Sequence, residues 1–230
     1  MKIERKTMSL LNKTRVIYNY VLCKLGIRDI LPSEIINRCI VVDNSETLVT
    51  IPLKYTYGHA SEQKIRKQVN EMLCEANKNL QVGYSIVVTE GYRSLSKQQV
   101  LWDKEIERLK TIHPEYSNSD LVFNAKISIA NPTSNSGGGH QTGGAIDVKL
   151  MLNDLEVDMG TDILEFNRKT KTDSEHIDSN QRNNRAILNS AMATAGFVNY
   201  PAEWWHFSYG DKMWAAYLGK RYAVYGPLKG

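Results

Sequence analysis

Hydrophobic residues recur along this chain with two different periods, and the switches between them mark out its expected elements. Between Ser61 and Asn79, Ile65, Val69, Met72, Leu73 and Ala76 fall on one face at helical spacing, which predicts an amphipathic helix. Tyr84 to Thr89 then reads as a short buried strand that ends at Glu90-Gly91-Tyr92-Arg93-Ser94. Ser96 to Leu109 returns to the helical period, and the polar, turn-rich stretch from Thr111 to Asp120 closes it. A long loop containing Pro132 leads to His140, after which Ala145 to Leu150 alternates as a strand. Gln181 to Ala195 is a further helix stopped by Gly196, followed by two adjoining strands, Phe197 to Tyr200 and Trp204 to Ser208, separated by Pro201. Near the amino end, Met8 to Leu25 has helical spacing with Gly26 as a stop, while Ile35 to Ile51 reads as extended chain. Helices and strands do not alternate regularly. The predicted class is therefore α+β, with a small central, mainly antiparallel sheet flanked by helices.

A length of 230 residues and an apolar content of 42% suit a single domain over residues 1–230, with residues 1–50 as a helical and extended N-terminal elaboration. The formal charge of +4 arises from 29 Lys and Arg spread among 25 Asp and Glu. Without a basic block or an aromatic-basic ladder, that balance argues against nucleic acid as a partner. The cysteines, Cys23, Cys39 and Cys74, are odd in number and widely spaced, which excludes a full disulfide framework and a CxxC zinc finger and favours a reducing compartment. No apolar run approaches the roughly 20 residues of a membrane span. The expectation is a soluble, cytoplasmic chain without stable membrane insertion, with export, envelope association and homo-oligomerisation left open.

Two stretches bear chemistry. Ser136-Gly-Gly-Gly-His140-Gln-Thr-Gly-Gly-Ala-Ile-Asp147 and Glu203-Trp-Trp-His206 together offer two imidazoles, one ligand carboxylate and one spare carboxylate, the donor set of a catalytic zinc site. Gly143 and Gly144 permit close backbone approach or positive φ, and Gly137 to Gly139 permit a loop to fold over a ligand. Each motif also has a plainer reading: a flexible surface turn for the first, and a half-buried aromatic strand with a surface Glu for the second. In a strand Glu203 and His206 would point to opposite faces, so a shared site requires a bend near Trp204. Trp204, Trp205 and Phe207 are either dry walls of a site or core, and Arg93 is either catalytic or half of a structural ion pair.

In combination, Glu90-Gly-Tyr-Arg-Ser94, His140-x-x-Gly-x-Ala-x-Asp147 and Glu203-Trp-Trp-His206 resemble the zinc D-alanyl-D-alanine dipeptidases of the vancomycin-resistance type, within the D-Ala-D-Ala metallopeptidases. The likeness runs from Ile51 to Tyr209. It implies one Zn2+ per chain in a cleft at the sheet, held by His140, Asp147 and His206, with Glu203 as general base and Arg93 assisting at the scissile carbonyl. It also implies a small D-amino-acid peptide as substrate, in a pocket lined by Gly138, Thr161, Leu164, Glu165 and Trp205. Two positions depart from the family pattern. Gly138 stands where a serine is common, and Leu164 stands where the free amino group of the substrate would be met, leaving adjacent Glu165 to replace it. The leading expectation is hydrolysis of D-Ala-D-Ala. A D,D-carboxypeptidase trimming longer peptidoglycan stems and a non-catalytic module binding cell-wall peptide are the alternatives.

Overall fold

Strand Ala145–Leu152 is buried along both faces for most of its length, and the rest of the chain is arranged around it. The computed structural model describes residues 17–18, 20–23, 25, 29–57, 63–132 and 138–228. In chain order the amino-terminal elements are helix α1 (Ser33–Ile36) and strands β1 (Ile40–Val41), β2 (Leu48–Thr50) and β3 (Lys64–Arg66). Helix α2 (Lys67–Lys78), strand β4 (Tyr84–Glu90) and helices α3 (Leu95–Ile112), α4 (Asn118–Ser128) and α5 (Gly139–Thr142) follow. Strands β5 (Ala145–Leu152) and β6 (Leu155–Glu156) precede helix α6 (Ser179–Thr194). Strands β7 (Val198–Asn199) and β8 (His206–Ser208), helix α7 (Lys212–Tyr217) and strand β9 (Tyr222–Ala223) complete the set.

The main sheet has the order β4-β5-β8-β7, with β6 folded back on the end of β5, and all its pairings are antiparallel. One face packs into the core: Ile86 and Val88 of β4 and Ile146, Val148 and Leu150 of β5 join Val69, Met72 and Leu73 of α2 and Leu188 and Met192 of α6. The side-chain period of two sends Asp147 and Lys149 to the other face. An α+β architecture with a central antiparallel sheet is thus present. Two small sheets flank it, β1 parallel to β9 and β2 antiparallel to β3.

The elements depart from the sequence pattern in four places. The helix expected from Ser61 begins at Lys67, because Lys64–Arg66 pairs with Leu48–Thr50 and Ile65 enters the core from a strand. Within the stretch read as turns, Asn118 opens α4, which among its described side chains buries Leu121 and Ala125 and exposes Val122 and Phe123, so no clear apolar stripe announced it. Its readable signal was the reciprocal cap between Ser117 and Asp120. The extended reading of Ile35 to Ile51 gives way to the end of α1 and the short strands β1 and β2. His140 sits in a helical turn rather than in the loop before a strand. The helix expected over Met8 to Leu25 and the loop residues Ser136 and Gly137 fall largely or wholly outside the described residues, although 17–18 and 20–23 are helical.

Candidate metal centre

Three neighbouring strands align three polar side chains on the face of the sheet opposite the main core. Asp147 of β5 is the direct partner of His206 on β8 and, past a register shift between Val88 and Glu90, of Glu90 on β4. Residues opposed across antiparallel strands share a face, so Glu90, Asp147 and His206 form a row. His140 reaches that row from α5. The turn is ended by Gly143 in the left-handed region at φ +71°, which reverses the chain into β5.

The imidazoles converge on one carboxylate. His206 Nδ1 lies 2.9 Å from Asp147 Oδ1 and His140 Nε2 lies 3.3 Å from Asp147 Oδ2. His140 Nδ1 is 2.9 Å from the Gly91 carbonyl; donating there fixes the tautomer and leaves Nε2 as the lone-pair nitrogen facing Asp147. One donor atom from each of His140, Asp147 and His206 lies within 4.8 Å of the others, a spacing that a single metal ion can bridge. Burial alone would raise the Asp147 carboxyl, but the adjacent His140 and His206 outweigh it and hold it well below the usual carboxylate range. An ionised carboxylate with two imidazoles, one of them locked by a backbone acceptor, is a donor set that suits a borderline-soft divalent cation.

The bend required for Glu203 to join His206 is present. Glu203 N–H donates to the Tyr200 carbonyl at 2.9 Å and His206 N–H to the Glu203 carbonyl at 3.2 Å, so the Glu-Trp-Trp segment turns before β8 begins. The Asn199 side chain holds this turn by donating to the Glu203 and His206 carbonyls, each at 3.1 Å. The Glu203 carboxylate accepts no hydrogen bond among the described residues. Burial pushes its carboxyl up, aided by Asp147 and opposed by His206, His140 and Arg93.

Arg93 lies beside the same row, its N–H donating 3.0 Å to the His140 carbonyl. Its guanidinium grips Glu90 through Nε, at 3.0 Å, and through a second nitrogen, while a third donates to Gln98 Oε1 at 2.9 Å. The ion pair that sequence left as an alternative role therefore exists. It occupies two of the five guanidinium N–H donors, and Gln98 takes a third.

The remaining expected residues are more dispersed. Gly138 caps the start of α5, and its N–H donates to Gln141 Oε1 at 2.7 Å. The Thr161 hydroxyl accepts from the Trp204 indole at 2.8 Å, and Thr161 lines an open depression of about 400 Å³ formed by residues 156–162. Leu164 is exposed at φ +67°. The Glu165 carboxylate is already engaged, accepting from the Asp162 N–H at 3.1 Å and the Asn167 amide at 2.9 Å. Trp205 requires correction: it is fully buried in the main core, edge-on to Trp204, and presents no surface to a ligand. Sequence reasoning missed Glu90 and Gln98, the partners of Arg93. The only signal for Glu90 was its place in the Glu-Gly-Tyr-Arg segment.

Together, the fold and this cluster define a class: an α+β protein whose central sheet carries, on the face away from its core, a recessed His-Asp-His set beside a further carboxylate. Residues 56–224 match the D-Ala-D-Ala dipeptidase family of peptidases, and the chain belongs to that family. It is 29% identical to a D-alanyl-D-alanine dipeptidase of Synechocystis sp. over 168 residues, 63% of this chain and 67% of that protein. It is 30% identical to a D-alanyl-D-alanine dipeptidase of Enterococcus faecium over 135 residues, 56% of this chain and 64% of that one. The chain thus spans about two thirds of the length of these relatives. Among solved structures, VanYB in complex with D-Alanine-D-Alanine overlaps 79% of this chain and 92% of its own, with 17% identity and a TM-score of 0.48. No helix among the described residues is long and apolar enough to cross a membrane.

Proposed function

We propose that this protein is a zinc-dependent dipeptidase that hydrolyses D-Ala-D-Ala. The observation that carries the reading is the convergence of His140, Asp147 and His206 donor atoms within 4.8 Å. Those three residues would hold the ion, which when bound supplies a Lewis acid for the peptide carbonyl and acidifies water. The chain's own groups supply the rest. Glu203, with its carboxyl raised by burial, takes the proton of the attacking water and returns it to the leaving amine. The two remaining Arg93 donors face charge that builds on the carbonyl oxygen as the tetrahedral centre forms. Glu90 keeps that guanidinium oriented, and the Gly91 carbonyl keeps His140 in its ligand tautomer.

A D,D-carboxypeptidase acting on longer stems is favoured by one observation: the position expected to meet a free ammonium is Leu164, and Glu165 beside it is already bonded. Burying an ammonium without a partner would be costly. Mass-resolved product formation from zinc-loaded protein, given D-Ala-D-Ala beside a blocked D-Ala-D-Ala peptide, separates the two. Cleavage of the free dipeptide, abolished in Glu203→Ala and by chelation, is expected. Cleavage of the blocked peptide alone moves the assignment to the carboxypeptidase, and undiminished turnover by Glu203→Ala rejects the mechanism.

A further inference from the structure

Every carbonyl of the single turn that carries His140 is taken by a group that fixes it. Gly139 O accepts from the Thr142 hydroxyl at 2.6 Å, His140 O from Arg93 N–H at 3.0 Å and Gln141 O from Leu228 N–H at 2.9 Å. The last two carbonyls go to one residue. Thr142 O accepts from Arg66 Nε at 2.7 Å and Gly143 O from Arg66 N–H at 3.0 Å. A helix of one turn has almost no internal hydrogen bonds, so its position is set by whatever satisfies its ends.

Arg66 is itself anchored from outside the family-matched stretch. Its side chain is 1% exposed, and its guanidinium donates to Asp43 Oδ2 at 3.1 Å, to the Glu46 carbonyl and to the Gly226 carbonyl at 3.3 Å. It also lies over the Tyr225 ring, 4.9 Å from the centroid. Asp43 in turn accepts from Gly226 N–H at 2.6 Å and Ser45 N–H at 2.7 Å, and the Tyr225 hydroxyl bonds Glu46. Residues 43, 46, 225, 226 and 228 all lie beyond residues 56–224, yet all bear on this turn directly or through Arg66.

We propose that Arg66 is a positioning residue for the metal centre, a clamp through which segments 43–46 and 225–228 set the placement of His140. The proposal rests on the metal-centre reading for its ligand and on the hydrogen bonds above for its geometry. The described contacts of Arg66 include none to the side chains of His140, Asp147 or His206. It acts by holding the backbone that aims the His140 ring, as partners behind the ligands do in metal sites generally. Lysine would keep the charge but lose the forked contact that joins Thr142 to Asp43 and Gly226.

The test uses the full chain with Arg66→Lys and, because a buried arginine variant can fail to fold, Asp43→Asn, which leaves the Thr142 and Gly143 contacts in place. Zinc affinity is read by chelator competition, ligand geometry by the visible spectrum of the cobalt-substituted protein, and the turn by amide exchange over residues 139–144. The expected result is a loss of zinc affinity of about tenfold to a hundredfold in Arg66→Lys and a smaller loss in Asp43→Asn. Shifted cobalt bands and faster exchange confined to the turn should accompany it. Wild-type zinc affinity, cobalt spectrum and exchange in a folded Arg66→Lys protein, or in Asp43→Asn where that variant alone folds, overturn the clamp. A wild-type chain that holds no zinc instead rejects the metal-centre reading, and unchanged exchange over 139–144 in the variants then rejects the clamp as well.

Discussion

Glu90 holds the Arg93 guanidinium through both carboxylate oxygens, Nε to Oε1 at 3.0 Å, in a pair whose side chains are only 16% and 11% exposed. Glu90→Gln keeps the shape and removes the charge that orients the arginine. The expected outcome is a folded enzyme with kcat lowered by about tenfold to a hundredfold, the scale of a small misplacement of a catalytic group, and KM little changed. Glu90→Ala should in addition cost about 3 kcal/mol in urea unfolding, because Arg93 loses its bonded counter-charge and keeps only Asp147 and Glu203, which do not hydrogen-bond it. Steady-state kinetics with wild-type values in Glu90→Gln would remove Glu90 from the positioning of Arg93.

Glu203 makes a pH-dependent prediction for the metal-free protein. Burial raises its folded carboxyl above the ordinary value of 4.5, with Asp147 adding to the rise against His206, His140 and Arg93. The folded state therefore binds this proton more tightly than the unfolded chain does. Its ionisation lowers stability progressively as pH climbs from 4.5 through the raised value, and the penalty is complete above that value. Glu203→Gln should unfold at higher denaturant than wild type near neutral pH, with the gap closing as pH falls below 4.5. Denaturation in chelator at several pH values measures it; a gap independent of pH contradicts the assignment. The same variant should be inactive when loaded with zinc.

Leu164 combines a left-handed backbone, φ +67°, with an exposed side chain. Leucine is strained there by about 1–2 kcal/mol, whereas Asp and Asn enter that region more readily. Leu164→Asp is expected to fold at least as stably as wild type and to lower KM for free D-Ala-D-Ala relative to a blocked peptide. An unchanged ratio of the two kcat/KM values would detach this position from recognition of the amino group.

Adjacent glycines before His140 should respond differently to a side chain. A Cβ on Gly139 would come within 2.6 Å of Asp211 Oδ2 and 2.8 Å of Ala145 Cβ, and Asp211 is held by Ser208 and by the start of α7. Gly139→Ala is expected to cost about 1–3 kcal/mol and to weaken zinc retention. Among the described residues, a Cβ on Gly138 would meet Ala130 Cβ alone, at 3.1 Å. Gly138→Ser should therefore fold normally, and a lower KM for a substrate with a free carboxylate would assign this position to carboxylate binding. Thermal unfolding and metal analysis of both variants distinguish the two sites.

The donor residues of the candidate centre were legible in combination, since each short motif alone also had a plainer reading. His140, Asp147, Glu203 and His206 occur in short motifs, and the bend that Glu203 and His206 need followed from the period of a strand before any fold was known. The core of the sheet was also readable, since Ile86, Val88, Ile146, Val148 and Leu150 pack as their spacing requires. By contrast, α4 hid behind exposed Val122 and Phe123, and Lys64–Arg66 looked helical because Ile65 fits either period.

Sequence alone thus determined which ligand types this protein offers, the order of its motifs and the class of its fold, since these depend on residue chemistry and on periods of two and 3.6. Only the tertiary structure decided which groups act on the ligands from behind. Trp205 belongs to the core, Glu165 is already bonded, Glu90 and Gln98 hold Arg93, and Arg66 ties the His140 turn to segments 43–46 and 225–228. Those assignments depend on contacts between residues far apart in sequence. The distance from Arg66 to Thr142, or from Asp43 to Gly226, is set by how the sheets and helices pack, and no local pattern encodes it.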